Sequence, residues 1–142
     1  MDIKNDNHDF LLKEIDLIQD VIRRMAHNSF LIKGWAVTLI VGSLLLKGTM
    51  LEVYIAVIPL ISFWILDAYF LRQERLYRKL YDWVINNRHK TSEYLFDLST
   101  SRFKGAVQSI PRIMFSITLG IFYGSIAVLL AIYIVMLLKF HA

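Results

Sequence analysis

No cysteine occurs in the 142-residue chain, and proline and glycine are scarce, at two and six. The missing thiols exclude disulfides, iron–sulfur clusters and thiolate zinc sites. Charge is scarce too: Asp, Glu, Lys and Arg fill 20% of positions, against 56% hydrophobic residues. A soluble domain of this size carries more. His8, His27, His89 and His141 stand apart, without partners at ligand spacing, so no metal site is expected. Also lacking are a phosphate-binding glycine loop, a nucleophile elbow and a paired-carboxylate site. No catalytic residue, cofactor or enzymatic activity is expected.

What the chain does have is long apolar blocks within the length of a single domain (1–142). Residues 113–138 contain no charge, and at 1.5 Å per residue they extend roughly 39 Å, more than the hydrocarbon thickness of a bilayer. Pro111 suits the first turn of that helix. A second block covers residues 50–71, with Glu52 near one end, Asp67 near the other and Pro59 inside. Membrane helices tolerate such a proline, which bends them. The first block, residues 34–46, reaches a spanning length only with Phe30, Leu31 and Ile32, which brings Lys33 inside the span. A lysine this near an end extends its ammonium to the interface. Only Lys47-Gly48-Thr49 separates the first two blocks, which predicts an antiparallel hairpin. The expected fold is all-α with three membrane spans.

The basic residues set the orientation. Fourteen of the 16 Lys and Arg fall ahead of the first span or between the second and third, and only Lys47 and Lys139 lie on the other side. The positive-inside rule then puts the amino terminus and the long loop in the cytoplasm and the carboxyl terminus outside. This distribution explains the net charge of +4 by topology, with no nucleic-acid partner. The 29 residues of mixed charge ahead of the first apolar run do not have the pattern of a cleaved signal peptide.

Both early spans continue into the cytoplasm as helical arms. Leu11, Ile15, Ile18, Ile22 and Met25 recur at helical spacing, widened by Phe10, Leu17 and Val21, while Lys13, Glu14, Asp16, Asp20, Arg23 and Arg24 read as off the stripe. Asp6 or Asn7 suits a cap, which predicts one helix over residues 8–47. Beyond Leu71, Leu76, Tyr77, Leu80, Tyr81 and Val84 continue the second helix, with Asn86-Asn87 as its stop, over residues 50–86. The arms are expected to pack on each other and, through their wide apolar face, to build an oligomer. In the loop over residues 87–112, Thr91-Ser92-Glu93 is read as a short helix start. Phe103, Val107 and Ile110 are read as an interfacial helix leading into a third helix over residues 113–140.

Lys33 and Asp67 fall at about the same distance from the Gly48 turn, roughly 22 to 27 Å, and are read as an ion pair that fixes hairpin register. A proton or ion relay through Asp67 would need polar companions, and only Ser62, Thr38 and Ser43 are at hand. Gly34, Thr38 and Gly42 form a small-residue stripe that either lines an aqueous path or packs against the second span. Ser116, Gly120 and Gly124 form a packing face that includes one GxxxG spacing. The arginines of the second arm, Arg72, Arg75 and Arg78, together with Lys79, sit where anionic headgroups would attract them.

Three stretches resemble a known group of proteins. They are residues 24–39, around Asn28-Ser29-Phe30 and Lys33-Gly34-Trp35; residues 63–82, with the pattern Trp64-x-x-Asp67-Ala68-Tyr69-x-Leu71-x-x-Glu74-Arg75; and Met114-Phe115-Ser116 with Phe122-Tyr123-Gly124. They resemble small, mostly uncharacterised bacterial integral membrane proteins associated with anti-phage defence or mobile loci. The resemblance implies a bacterial inner-membrane location and an effector that breaches the membrane. Taken together, the expectation is a homo-oligomer in contact with lipid that perturbs or permeabilises the membrane under a cytoplasmic signal or protein partner. The alternative is a non-conducting scaffold that recruits a cytoplasmic partner through its arms.

Overall fold

The computed structural model describes residues 3–45 and 50–140, and these are all-α and loop. Helix α1 is Ile3–Leu44 and α2 is Met50–Asn87. A 3-10 turn, η1, follows at Ser101–Ala106, then the short α3 at Ile110–Met114 and α4 at Ile117–Phe140. The predicted turn at Lys47-Gly48-Thr49 lies outside the described residues, as does His141.

Helix α1 starts before the Asp6 and Asn7 expected to cap it, and both belong to the helix. It lies antiparallel to α2, since Glu14 meets Arg88, Gln19 meets Tyr81 and Lys33 meets Asp67. Its buried side chains are Glu14, Ile18, Val21, Ser29, Ile32, Ala36 and Ile40, so one stripe at helical spacing runs almost its whole length. Two polar residues, Glu14 and Ser29, sit on that stripe, and Glu14 is therefore not on the solvent face. Helix α2 passes through Pro59 undivided. It answers with Val53, Ala56, Leu60, Ala68, Leu76, Leu80 and Val84.

The third apolar block is not one helix. Its backbone breaks at Phe115 and Ser116, between α3, whose second residue is Pro111, and α4. The Ser116 carbonyl then accepts the Gly120 N–H at 2.7 Å and starts the new helix. Ahead of it, residues 91–100 form turns with no helix at Thr91-Ser92-Glu93. Phe103 lies in η1 and Ile110 in α3, with Val107 extended between them, so these three share no helical face.

Different forces hold the two ends of the molecule. Ile18, Leu80 and Val84 bury together between the arms, with Leu11, Ile15, Tyr77 and Phe103 against them. Each fully buried side chain of this kind contributes about 1.5–3 kcal/mol when the alternative is water. At the other end Ala36, Ile40, Ala56, Leu60, Leu119 and Leu130 form the inner cluster, while the outward positions are apolar as well. Helices α2 and α4 are each long and apolar enough to cross a membrane. Only 11% of the apolar window of α4 is buried, which is not the pattern of a core helix in a soluble protein.

Candidate functional site

The three long helices converge on Asp67. Its carboxylate is fully buried and faces α1, where Lys33 Nζ lies 2.6 Å from Oδ2. Ser29, one turn before Lys33, donates its hydroxyl to Asp67 Oδ1 and accepts from Lys33 Nζ at 2.9 Å. From α4 the Tyr123 hydroxyl lies 3.2 Å from both Asp67 Oδ2 and the Phe63 carbonyl oxygen. No buried side-chain nitrogen or oxygen among the described residues lacks a partner. Lys33 keeps 27% of its side chain exposed, with its ammonium 6.0 Å from the Phe122 ring centroid.

Aromatic packing holds this knot from the side. The Trp64 ring stacks on Tyr123 at 5.7 Å with 12° between planes, and Phe115 meets Trp64 edge-on at 5.4 Å. Trp64 Nε1 donates to the Met114 carbonyl at 2.9 Å, which fixes the α3–α4 break beside α2. Between lipid-immersed helices, apolar side chains gain little by exchanging lipid for protein. Polar contacts and close packing then carry a larger share of helix association, and here both sit in one place.

The companions of Asp67 are thus Ser29, Lys33 and Tyr123. They are not the Ser62, Thr38 and Ser43 considered from sequence. Ser62 is exposed, and Thr38 and Ser43 return their hydroxyls to the Gly34 and Leu39 carbonyls of their own helix. Ser29 carried a signal, because it precedes Lys33 by one turn on the same face. Tyr123 carried a weaker one, as a hydroxyl inside an uncharged run.

Gly34, Thr38 and Gly42 lie on the outside of α1, and a Cβ built on either glycine meets nothing within 4 Å. The stripe does not pack against the second span; Ile32, Ala36 and Ile40 do that. On α4 the packed positions are Leu119, Tyr123 and Leu130. Ser116, Gly120 and Gly124 flank that face. A Cβ on Gly120 would sit 3.8 Å from the Phe115 backbone, and one on Gly124 meets nothing within 4 Å, so neither permits an unusually close approach within the chain.

A second polar centre joins the far ends of the arms. Glu14 accepts from Arg88 Nε at 2.7 Å and Nη2 at 2.6 Å, with side chains only 1% and 7% exposed. Arg88 also donates to the Thr91, Glu93 and Tyr94 carbonyls, and the Phe96 N–H donates to Glu14 Oε1. The loop wraps this pair with Tyr94 at φ 58° and Phe96 at φ 59°, a left-handed geometry that bulky residues seldom adopt. The Arg102 guanidinium covers the Tyr94 ring at 3.8 Å and the Trp83 ring at 4.7 Å. From sequence, Glu14 reads as off the stripe and Thr91 and Glu93 as a helix start, and nothing in that reading joins them to Arg88.

No protein-family model, curated protein or solved structure matches the chain.

Proposed function

We propose that the chain is a three-span membrane protein whose first two helices form a hairpin. It assembles with copies of itself and perturbs or permeabilises the bilayer under control of its cytoplasmic arms. The observation that carries this reading is the division of the outer surface. Around residues 30–45, 54–66 and 115–138 the exposed side chains are mostly apolar, including Phe30, Ile58, Phe115, Ile117 and Ile121. On the arms, Asp16, Asp20, Arg23, Arg24, Arg78 and Asp82 are exposed. An apolar band of this extent is costly in water and stable in hydrocarbon. Lys33 and Asp67 lie at one edge of the band, and the basic surplus supports a cytoplasmic location for the arms. The resemblance set out above adds a setting, an effector of anti-phage defence in a bacterial inner membrane.

Self-assembly is supported by the outward stripe of Gly34, Thr38 and Gly42. Small and hydroxyl-bearing positions gain nothing from acyl chains but allow another helix, or a file of water, to come close. Induced expression in cells carrying a potential-sensitive dye tests the reading: depolarisation is expected as the protein accumulates in the membrane. An unchanged potential despite insertion favours the second reading, a non-conducting scaffold. That reading is supported by Phe10, Leu12 and Leu17, apolar side chains exposed on the arm rather than in the band.

A further inference from the structure

We propose that Arg72 and Arg75, held at Gln108, together with Arg112, exposed on the neighbouring α3, bind the phosphate of an anionic phospholipid headgroup in the inner leaflet. The inference rests on the membrane reading above. It concerns a place where positive charge is collected and left without a counter-charge.

Gln108, two residues ahead of α3, holds two guanidinium groups of α2. Arg72 Nε donates to its backbone carbonyl at 3.1 Å, and Arg75 Nη1 donates to its side-chain Oε1 at 3.2 Å. These contacts use few of the five N–H donors on each guanidinium. Like charges one turn apart repel, and a carboxylate nearby would ordinarily compensate them. None does among the described residues. The Glu74 carboxylate, between them in sequence, goes to Arg78, and the other ion pairs are Asp20–Arg23, Asp67–Lys33, Asp82–Lys79 and Glu14–Arg88. Arg112 is exposed on α3 and has no carboxylate partner either.

The depth of the cluster selects the ligand. The Trp64–Met114 hydrogen bond sets the end of α3 beside residue 64 of α2, and the Gln108 contacts set its approach beside residues 72–75. Arg112 lies between those two levels. Arg72 follows Asp67 by five residues, about 7 Å along the helix, and a headgroup layer is about 5–7 Å thick on each side. A phosphate at that level meets free guanidinium edges whose fork geometry suits two oxygens at once. Free phosphate offers the same chemistry, but the cluster's depth favours a phosphate already held in the leaflet.

Native mass spectrometry of the detergent-solubilised protein, with equal amounts of phosphatidylglycerol and phosphatidylethanolamine, tests this. The wild type is expected to retain phosphatidylglycerol preferentially. Removal of each arginine weakens that preference about fivefold, so Arg72→Gln with Arg75→Gln nearly abolishes it. Gln108→Leu keeps every charge and the backbone carbonyl that holds Arg72 but removes the Oε1 acceptor that holds Arg75, and a several-fold loss is expected. Arg23→Gln, the same charge change on the outer arm, is expected to have no effect. If the double variant unfolds, Arg112→Gln, which breaks no hydrogen bond or ion pair of the fold, is expected to show the single-arginine loss.

Equal retention of the two lipids by a wild type that needs detergent overturns the inference and leaves the membrane reading standing. An Arg23→Gln loss as large as that of Arg112→Gln also overturns it, because net charge alone would then suffice. Displacement of the lipid by millimolar inorganic phosphate assigns the cluster to free phosphate and overturns the lipid assignment. Recovery of the protein without detergent removes the premise itself.

Discussion

Lys33 of α1 and Asp67 of α2 meet at 2.6 Å, the carboxylate fully buried and the ammonium partly open to the surroundings. The asymmetry determines how the pair fails. Asp67→Asn leaves a lysine that can swing to the interface, whereas Lys33→Met leaves a buried carboxylate with only Ser29 and Tyr123 as donors.

Removing one partner of a buried pair costs about 3–5 kcal/mol. Asp67→Asn is expected near the low end and Lys33→Met near the high end, read as thermal unfolding in detergent. The exchange Asp67→Lys with Lys33→Asp is expected to recover part of the loss. Recovery stays incomplete because Ser29 and Tyr123 aim donors at position 67. No recovery at all would contradict the pairing.

Tyr123→Phe removes the hydroxyl that reaches both Asp67 and the Phe63 carbonyl but keeps the ring on Trp64. The expected loss is about 1–2 kcal/mol, with the tryptophan emission little changed. Tyr123→Ala also removes the stack and leaves a cavity, for which about 3–5 kcal/mol is expected. Equal losses from the two variants would mean that the hydroxyl, not the ring, holds α4 in place.

Glu14→Ala strands Arg88 between the arms and removes the acceptor of the Phe96 N–H. Hydrogen exchange over residues 88–98 is expected to speed up by about two to four powers of ten, matching about 3–5 kcal/mol. Exchange in α4 is expected to stay unchanged, since the polar contacts of α4 at Tyr123 reach Phe63 and Asp67, not that centre. Unaltered exchange in the loop would contradict the role assigned to the pair.

Gly42→Leu places a side chain where a built Cβ meets nothing, so the fold is expected to tolerate it within about 0.5 kcal/mol. Self-assembly, read by cross-linking in membranes, is expected to fall. Ala36→Leu, on the packed face of the same helix, is expected to destabilise the monomer by about 1–3 kcal/mol through overpacking. Unchanged cross-linking in Gly42→Leu would remove the outward stripe from the assembly.

The long helices and the two residues at the edge of the apolar band were legible because hydropathy and residue counting act along the chain. Glu14 was misread for the opposite reason. It follows Leu11 by three and precedes Ile18 by four, so spacing placed it on the stripe, and only its charge argued against burial. Its partner Arg88 is 74 residues away, and nothing local announces it. The break at Phe115 and Ser116 was invisible because no charge, glycine or proline interrupts the run there. A hydropathy window runs across the break, because the residues on both sides of it are apolar. The left-handed Tyr94 and Phe96 run against local preference, and the carbonyls gathered by Arg88 account for a loop that propensity alone disfavours.

The absence of cysteine permits the most direct test of the central claim, that lipid surrounds the outward face of the apolar band. Single cysteines at Ile58 and Ile121, both exposed on the chain, and at Ser92 and Lys139 can be probed in cells with a membrane-impermeant maleimide. The account predicts labelling of Lys139→Cys in intact cells, of Ser92→Cys only after permeabilisation, and of Ile58→Cys and Ile121→Cys only after denaturation. Ready labelling of Ile121→Cys in the native protein would place that face in water and contradict the account.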